Sequence, residues 1–355
     1  MTRLYVQLPD SFSDVSIADP GTGKKIISVA RRSLHPYMLE YAYCDWWTVY
    51  RVGQRVADHF AHKERIFLGG DAVHTHTPKC GQGMNVSMQD AYNLGWKLAG
   101  VIHGQLDRSV LKTYEAERRP VAQDLINLDT DMARLLASKT MSDPLEVRRV
   151  YGKMANYGSG ANICYSPNIL IMSPGEGKQH LAVELKLGMR FPSHLALNHS
   201  SSVPMESQVL LKSDGRWRVL VFGGDVAKST QLQRVNRLGE QLSGFTRELC
   251  SARPGNRPFA DIILVYYGHV ETMETDMFHP TYSRVDGSEN RFDDERIYAD
   301  PPASSSQGSA HEHYGIGIEE GCIVAVRPDH CVAWIGDLED SEALSNYFRG
   351  FMRAS

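Results

Sequence analysis

Read from its N-terminus, the chain opens on alternation. Arg3-Leu4-Tyr5-Val6-Gln7-Leu8 sets apolar against polar positions on a β-rich background, the period of a strand. From residue 24 to residue 39 the spacing turns helical, with Ile27, Ala30 and Leu34 near one face and Pro36 marking the end. Residues 40–56 carry Tyr41, Tyr43, Trp47, Val49 and Tyr50 and predict one or two more strands, their aromatics serving as core or pocket wall. Ile66-Phe67-Leu68 is a short apolar run that predicts a buried strand broken at Gly69-Gly70. A polar loop with Pro78 leads to Gly81-Gln82-Gly83, and a long helix is expected from Met84 to Ile102. Its predicted buried stripe is Met84, Met88, Ala91, Gly95, Leu98 and Ile102. Small residues at 91, 95 and 99 would let it approach a sheet closely, and Gly104 suits the C′ position that ends it. Val110 to Leu136 predicts a second helix, kinked or broken at Pro120, with Glu115, Glu117, Arg118 and Arg119 on its outer side.

The pattern then changes. Residues 140–170, with YGKMANYGSGANICYSPN, are rich in Gly, Asn and Ser and read as a linker. Beyond it, RWRVLVF (216–222) and IILVYY (262–267) predict two buried strands separated by a polar helix over 230–243. IVAVR (323–327) and residues 331–335 predict two further strands, and residues 341–352 a closing helix. Residues 286–313, with Pro301, Pro302 and a serine run, read as a mobile loop. The expected class is α/β (α+β), with a first domain at 1–139, a linker at 140–170 and a thioredoxin-like domain at 171–355. That domain lacks a CxxC, so redox chemistry is not expected of it.

Composition narrows the function. Apolar residues make up 42% and charged residues 23%, an ordinary globular mix, and the net charge of −4 argues against nucleic acid as a partner. No apolar run has the length of a membrane span, and MTRLYVQLPD lacks the sections of a secretory signal. The six cysteines are scattered without metal-type or redox-type spacing, which suits free thiols in a reducing cytoplasmic compartment.

Candidate chemistry concentrates in RIFLGGDAVHTHTPKCGQGMN, residues 65–85. A strand delivers the carboxylate of Asp71 opposite a glycine-rich helix start. Such a carboxylate can accept from sugar hydroxyls, while free N–H groups at the helix start favour negative charge. The same spacing also suits a plain strand–turn–helix connection. His74 and His76 could be metal ligands, but no third ligand stands at a motif spacing, so no metal is assigned. Arg55, in VGQRVADHF, reads as a structural ion-pairing residue.

This stretch resembles the second FAD-binding motif of the flavin-dependent aromatic hydroxylases, the group A monooxygenases. The likeness continues through DAYNLGWKLAGVIHG and LKTYEAERRPVAQDLI, as in the phenol 2-monooxygenase branch, and Leu187 to Pro192 resembles the segment that opens that branch's C-terminal domain. The resemblance implies that Asp71 binds the ribityl chain of FAD and that Gly81, Gln82, Gly83, Met84 and Asn85 sit against the flavin ring. It implies that the 3–8 strand lines the substrate pocket, with Tyr5 as the catalytic and substrate-orienting hydroxyl. It further implies NADPH as reductant, O2 as co-substrate, a phenolic substrate hydroxylated beside its hydroxyl, and a C-terminal domain used in dimerisation.

The family's GxGxxG unit, which holds the adenylate end of FAD, is expected before the 3–8 strand. Gly21-Thr22-Gly23 lacks both the third glycine and a preceding strand. The sequence therefore reads as the C-terminal part of such an enzyme, inactive by itself. Two alternatives are an enzyme completed by another polypeptide or by self-association, and a non-catalytic protein that dimerises with full-length relatives.

Overall fold

The computed structural model describes residues 3–6, 8, 19, 21–49, 53–137, 143–158, 160, 162–251, 259–283, 292–302 and 308–353. Its contacts divide the chain into two compact units, Met1–Gly53 and Gln54–Ser355.

In the first unit, helix α1 spans Thr22–Leu34. Asp19 starts it: its carboxylate accepts from the Gly21 N–H at 2.9 Å and its carbonyl from Thr22 at 3.0 Å. Val29 and Ala30 are buried, and Arg31 and Arg32 occupy the last turn, where the helix dipole favours cations. Of the strands expected at 3–8 and 40–56, the described residues form only the short strand Arg55–Val56, in the second unit, and residues 7 and 50–52 lie outside the described residues. Residues 3–6 and 38–49 carry no ladder, and Tyr37, Tyr43 and Trp46 are exposed. A β-prone segment becomes a strand only when a neighbour supplies hydrogen bonds, and among the described residues none does.

The second unit begins with two small antiparallel pairs. Strand β1 (Arg55–Val56) pairs with β4 (His74–Thr75), and β2 (Ala61–His62) pairs with β3 (Ile66–Phe67). The expected strand at 66–68 is thus present but not buried, since Ile66 and Leu68 are exposed. Helix α2 spans Gly83–Ile102 and α3 spans Thr113–Ala137, continuous through Pro120. Gly104 follows the α2 C-cap at φ +70°, the left-handed conformation expected of a C′ glycine.

Two expectations about these helices are reversed. The apolar stripe of α2 faces out, with Met84 71%, Met88 55% and Ile102 78% exposed. The buried face is Val86, Asp90, Asn93, Trp96, Lys97 and Gly100. On α3, Glu117 and Arg118 are buried rather than outward. These side chains are sequestered because each meets an opposite charge, as described below. Residues 144–158, expected as linker, form helix α4 (Pro144–Gly158), whose Val150 packs with Leu128, Met132 and Cys80.

The rest of the unit is organised around one seven-stranded sheet. Strands β5 (Leu195–Asn198) and β6 (Pro204–Glu206) are followed by the short α5 (Ser207–Leu210), β7 (Trp217–Asp225), α6 (Ser229–Ser251) and β8 (Ala260–Tyr267). Then come β9 (Ile297–Asp300), α7 (Ala310–Tyr314), β10 (Cys322–Val326), β11 (Val332–Gly336) and α8 (Ser341–Arg349). The order is β11-β10-β7-β8-β9-β5-β6, with β7, β8 and β9 parallel and the other pairings antiparallel. β7, α6 and β8 form a βαβ crossover, which is consistent with the thioredoxin-like expectation. Alternate residues of the central strands feed two cores. Trp217, Val219, Val221, Ile262 and Leu264 face one side, and Leu220, Phe222, Ile263 and Val265 the other. Burial on both faces explains why RWRVLVF and IILVYY read as unbroken apolar runs. The expected loop at 286–313 contains the fully buried β9 and the helix α7, while residues 284–291 and 303–307 lie outside the described residues.

Candidate functional site

The loop that carries Asp71 is held by its backbone. Gly70 is buried at φ +59°, and a Cβ there would come within 2.9 Å of Ser87 Oγ on the first turns of α2. Only glycine combines that dihedral with so close an approach. Tyr114 Oη donates to the Leu68 carbonyl at 2.7 Å, and the Gly70 N–H donates to Asp90 Oδ2 at 3.1 Å. The Asp71 residue itself, in the one-turn 3-10 segment Gly70–Ala72, is exposed. A pinned backbone presenting an outward carboxylate is an acceptor poised for hydroxyl donors.

The glycine loop lies beside it, because the Gly70 turn packs on Ser87. Gly81 takes φ +64° with open space where a Cβ would stand, and the Gly81 N–H closes a turn onto the Pro78 carbonyl at 3.1 Å. Gly83 opens α2 with the His76 imidazole 2.6 Å from its Cβ position, so a larger residue there would displace that ring. Asn85 Nδ2 donates to Gln82 Oε1 at 3.0 Å, and the Gln82 amide lies over Gly158 at the end of α4. Among the described residues, no side chain caps α2, and no carboxylate caps the positive end of its dipole or stands in its first turn. An exposed acceptor and an uncapped helix start without a competing carboxylate fit a group with hydroxyls on one side and a charge-accumulating ring on the other, as FAD has.

Asp71 and residues 81–85 are thus brought together. Tyr5 is 71% exposed and belongs to the other compact unit. Gln54, rather than Arg55, ties its segment down, donating to Asp129 Oδ2 at 2.7 Å; Arg55 forms no ion pair among the described residues. Asp129 also accepts from the Thr77 N–H at 2.8 Å, which anchors the second half of the loop to α3.

Beneath the loop lies a buried ionic layer that the sequence reading passed over. Asp90 accepts from His74 Nε2 at 3.1 Å and from Arg118 Nε at 2.6 Å, and Arg118 Nη1 donates to Tyr165 Oη at 3.0 Å. Burial would raise the Asp90 carboxyl, but the His74 hydrogen bond and the Arg118 charge hold it below its ordinary value. One turn along, Glu117 accepts from Lys97 at 2.7 Å, from Asn93 at 2.7 Å and from both Arg327 amino groups at 2.7 and 2.9 Å. Burial alone would raise Glu117; Arg327 and Lys97 outweigh it and drive the carboxyl far down. Burial pulls the Lys97 ammonium down to about 8 against the attraction of Glu117, leaving it protonated at neutral pH. Asp329 closes the layer, accepting from Arg327 Nη2 at 2.6 Å and Trp96 Nε1 at 3.2 Å. The signal available in the sequence was the polar row Asp90, Asn93 and Lys97, which falls on one helical face.

Comparison with known proteins gives the family of the chain. The family described as "FAD binding domain" matches residues 1–129, and "Phenol hydroxylase, C-terminal dimerisation domain" matches residues 163–355. The chain is 35% identical to a phenol 2-monooxygenase, fsqG, of Aspergillus fumigatus, over 99% of its own length and 58% of that protein. It is 34% identical to a 3-hydroxybenzoate 4-monooxygenase of Comamonas testosteroni, over 100% of its length and 58% of that protein. It therefore spans about 58% of the length of these curated relatives. In fold it is similar to the aromatic hydroxylase CabE from angucycline biosynthesis, with a TM-score of 0.55, 22% identity, and coverage of 94% of this chain and 54% of that one. A similar likeness holds to aklavinone-11 hydroxylase, solved with FAD and aklavinone, at a TM-score of 0.54, 19% identity, and coverage of 94% and 51%. With more than half its length matched by the phenol hydroxylase C-terminal profile and its first third by the FAD-binding profile, the chain belongs to the phenol hydroxylase family of FAD-dependent aromatic monooxygenases.

Proposed function

We propose that this chain carries the ribityl-and-ring side of a FAD site in a monooxygenase that hydroxylates a phenolic substrate with NADPH and O2. The observation that supports this most directly is the pinned Asp71 turn packed against the uncapped start of α2. Bound FAD supplies the electron transfer and the activation of O2. Asp71 accepts hydrogen bonds from the ribityl hydroxyls. The N–H groups at Gly83, Met84 and Asn85 would favour negative charge on a flavin ring held there, and Gly81 would keep the approach clear of side chains. Tyr5 is assigned to orienting the phenol or the flavin. The C-terminal domain is assigned to a homodimer or to association with a full-length relative, in keeping with the dimerisation profile it matches.

The test is a titration of FAD into the purified chain, followed by flavin fluorescence, with Asp71→Ala as the control. Weak, saturable binding that Asp71→Ala weakens by about tenfold or more supports the reading; binding that is indifferent to Asp71 overturns it. We expect no phenol-dependent NADPH oxidation from this chain alone. A second reading, a non-catalytic protein that pairs with full-length relatives, draws on the dimerisation profile. Failure to co-purify with a coexpressed relative would count against it.

A further inference from the structure

We propose that Asp90 is the positioning residue for Asp71, and that Tyr165, acting through Arg118, completes its support. Asp90 touches no candidate ligand. It sits fully buried on α2 and fixes the loop at two points, accepting the Gly70 N–H at 3.1 Å and His74 Nε2 at 3.1 Å on the same oxygen. Gly70 is the residue immediately before Asp71, and His74 lies three residues after it, so the two bonds bracket the turn. Nε2 faces the carboxylate and donates to it, and His74 Nδ1 is buried with no partner among the described residues. The other Asp90 oxygen takes Arg118 Nε at 2.6 Å, which fixes the carboxylate plane. Arg118 is held in turn by Tyr165 Oη at 3.0 Å, by the Val86 carbonyl at 3.4 Å and by Gln89 Oε1 at 3.4 Å. Tyr165 lies in the stretch matched by the C-terminal profile, and its ring is within 5.4 Å of the Arg327 guanidinium. The C-terminal region therefore reaches under the Asp71 loop as well as forming its own sheet.

The inference rests on the reading of Asp71 as a FAD acceptor, and the experiment separates the two. Asp90→Asn keeps the shape, but whichever way the amide turns it sets an NH2 against either Gly70 and His74 or Arg118. FAD is titrated into the full chain as wild type, Asp71→Ala, Asp90→Asn and the double variant. Each single change is expected to weaken binding by about tenfold or more, the scale of one lost charge-assisted hydrogen bond. In the double variant the Asp90→Asn effect should vanish, because Asp90 acts only through Asp71. Full additivity overturns the positioning role. No binding by the wild type, or no effect of Asp71→Ala, overturns the FAD reading and the inference with it. Amide hydrogen exchange of the ligand-free protein gives an independent readout. Asp90→Asn should speed exchange at residues 66–76 and leave β7 and β8 unchanged. An unchanged loop, or faster exchange throughout the sheet, overturns the proposal. Tyr165→Phe should give the same localised pattern at smaller amplitude, and no change there removes Tyr165 from the scheme.

Discussion

The most demanding prediction concerns Glu117. Its carboxylate is 2% exposed as a residue and is the only buried anion shared by Lys97 and Arg327 among the described residues. Asn93 and Asn168 donate to it as well, at 2.7 and 3.1 Å. Replacing it with Gln removes the charge, and whichever way the amide turns its NH2 meets a buried cation, so Lys97 keeps no carboxylate partner and only neutral acceptors such as Asn93 Oδ1 at 2.8 Å. Breaking a buried pair by removing one partner costs about 3–5 kcal/mol, because the remaining charge stays desolvated. Urea unfolding at pH 7, followed by tryptophan fluorescence, reads this directly, since Trp96 stands against the layer, 5.2 Å from the Arg327 guanidinium, and Trp217 packs on Trp96 with ring centroids 6.1 Å apart. An apolar variant, Lys97→Met, Glu117→Leu and Arg327→Met combined with Asp329→Asn, removes all four charges of the layer and should recover most of the loss. A Glu117→Gln loss below about 1 kcal/mol would refute the claim that this layer is a desolvated charge network.

Four further outcomes follow from the same geometry. Glu117 and Asp90 have folded pKa values below their ordinary ones, so the stability they add is present above about pH 4.5 and lost as pH falls; acid unfolding of Glu117→Gln should show a shallower pH slope than wild type. Gly70→Ala places a Cβ at φ +59° and 2.9 Å from Ser87 Oγ; the left-handed conformation alone costs about 1–2 kcal/mol, and adding Ser87→Ala should recover only the steric part. Trp217→Ala empties the space between Phe351 and Phe348, whose rings stand 5.2 Å from it, and should cost about 3–5 kcal/mol in the same urea assay. Cys44 is exposed, whereas Cys322 and Cys331 are buried and the Cys80 thiol is pushed up to about 12 by burial and by Asp129. A thiol reagent at neutral pH should label Cys44 at once and those three only on unfolding.

The C-terminal sheet was legible because its strands are buried on both faces. β7, β8, β10 and β11 read as apolar runs, and each lies within a few residues of its expected bounds. β9 was missed because IYAD contributes one short turn's worth of pattern between irregular segments, and its burial is supplied by β8 and β5. Of the strands expected at 3–8 and 40–56, only Arg55–Val56 formed among the described residues, where His74–Thr75 supplies a partner. Residues 3–6 and 38–49 are β-prone, but a strand is a property of a pair, and they find no ladder among the described residues.

The site divides along the same line. The candidate loop around Asp71 and residues 81–85 was readable because its glycines at 70, 81 and 83 each answer a local requirement, a dihedral or a clearance. Its support was not, because hydrophobicity assigned the wrong face of α2 to the interior. A row of Met and Ile ordinarily outweighs a row of Asp, Asn and Lys in that choice. Here the polar row wins because Arg118, Glu117, Arg327 and Asp329 arrive from α3 and from the β10–β11 turn to neutralise it, and none of those pairings is local in sequence. The interior face of this helix was therefore decided by charge complementarity with residues up to the far end of the chain. The apolar stripe was left outward as the consequence: Met84, Met88 and Ile102 lie opposite a face already committed to four ionic partners. On that reasoning, Asp90 and Glu117 set the rotation of α2, and with it the direction in which the N–H groups at Gly83 to Asn85 point.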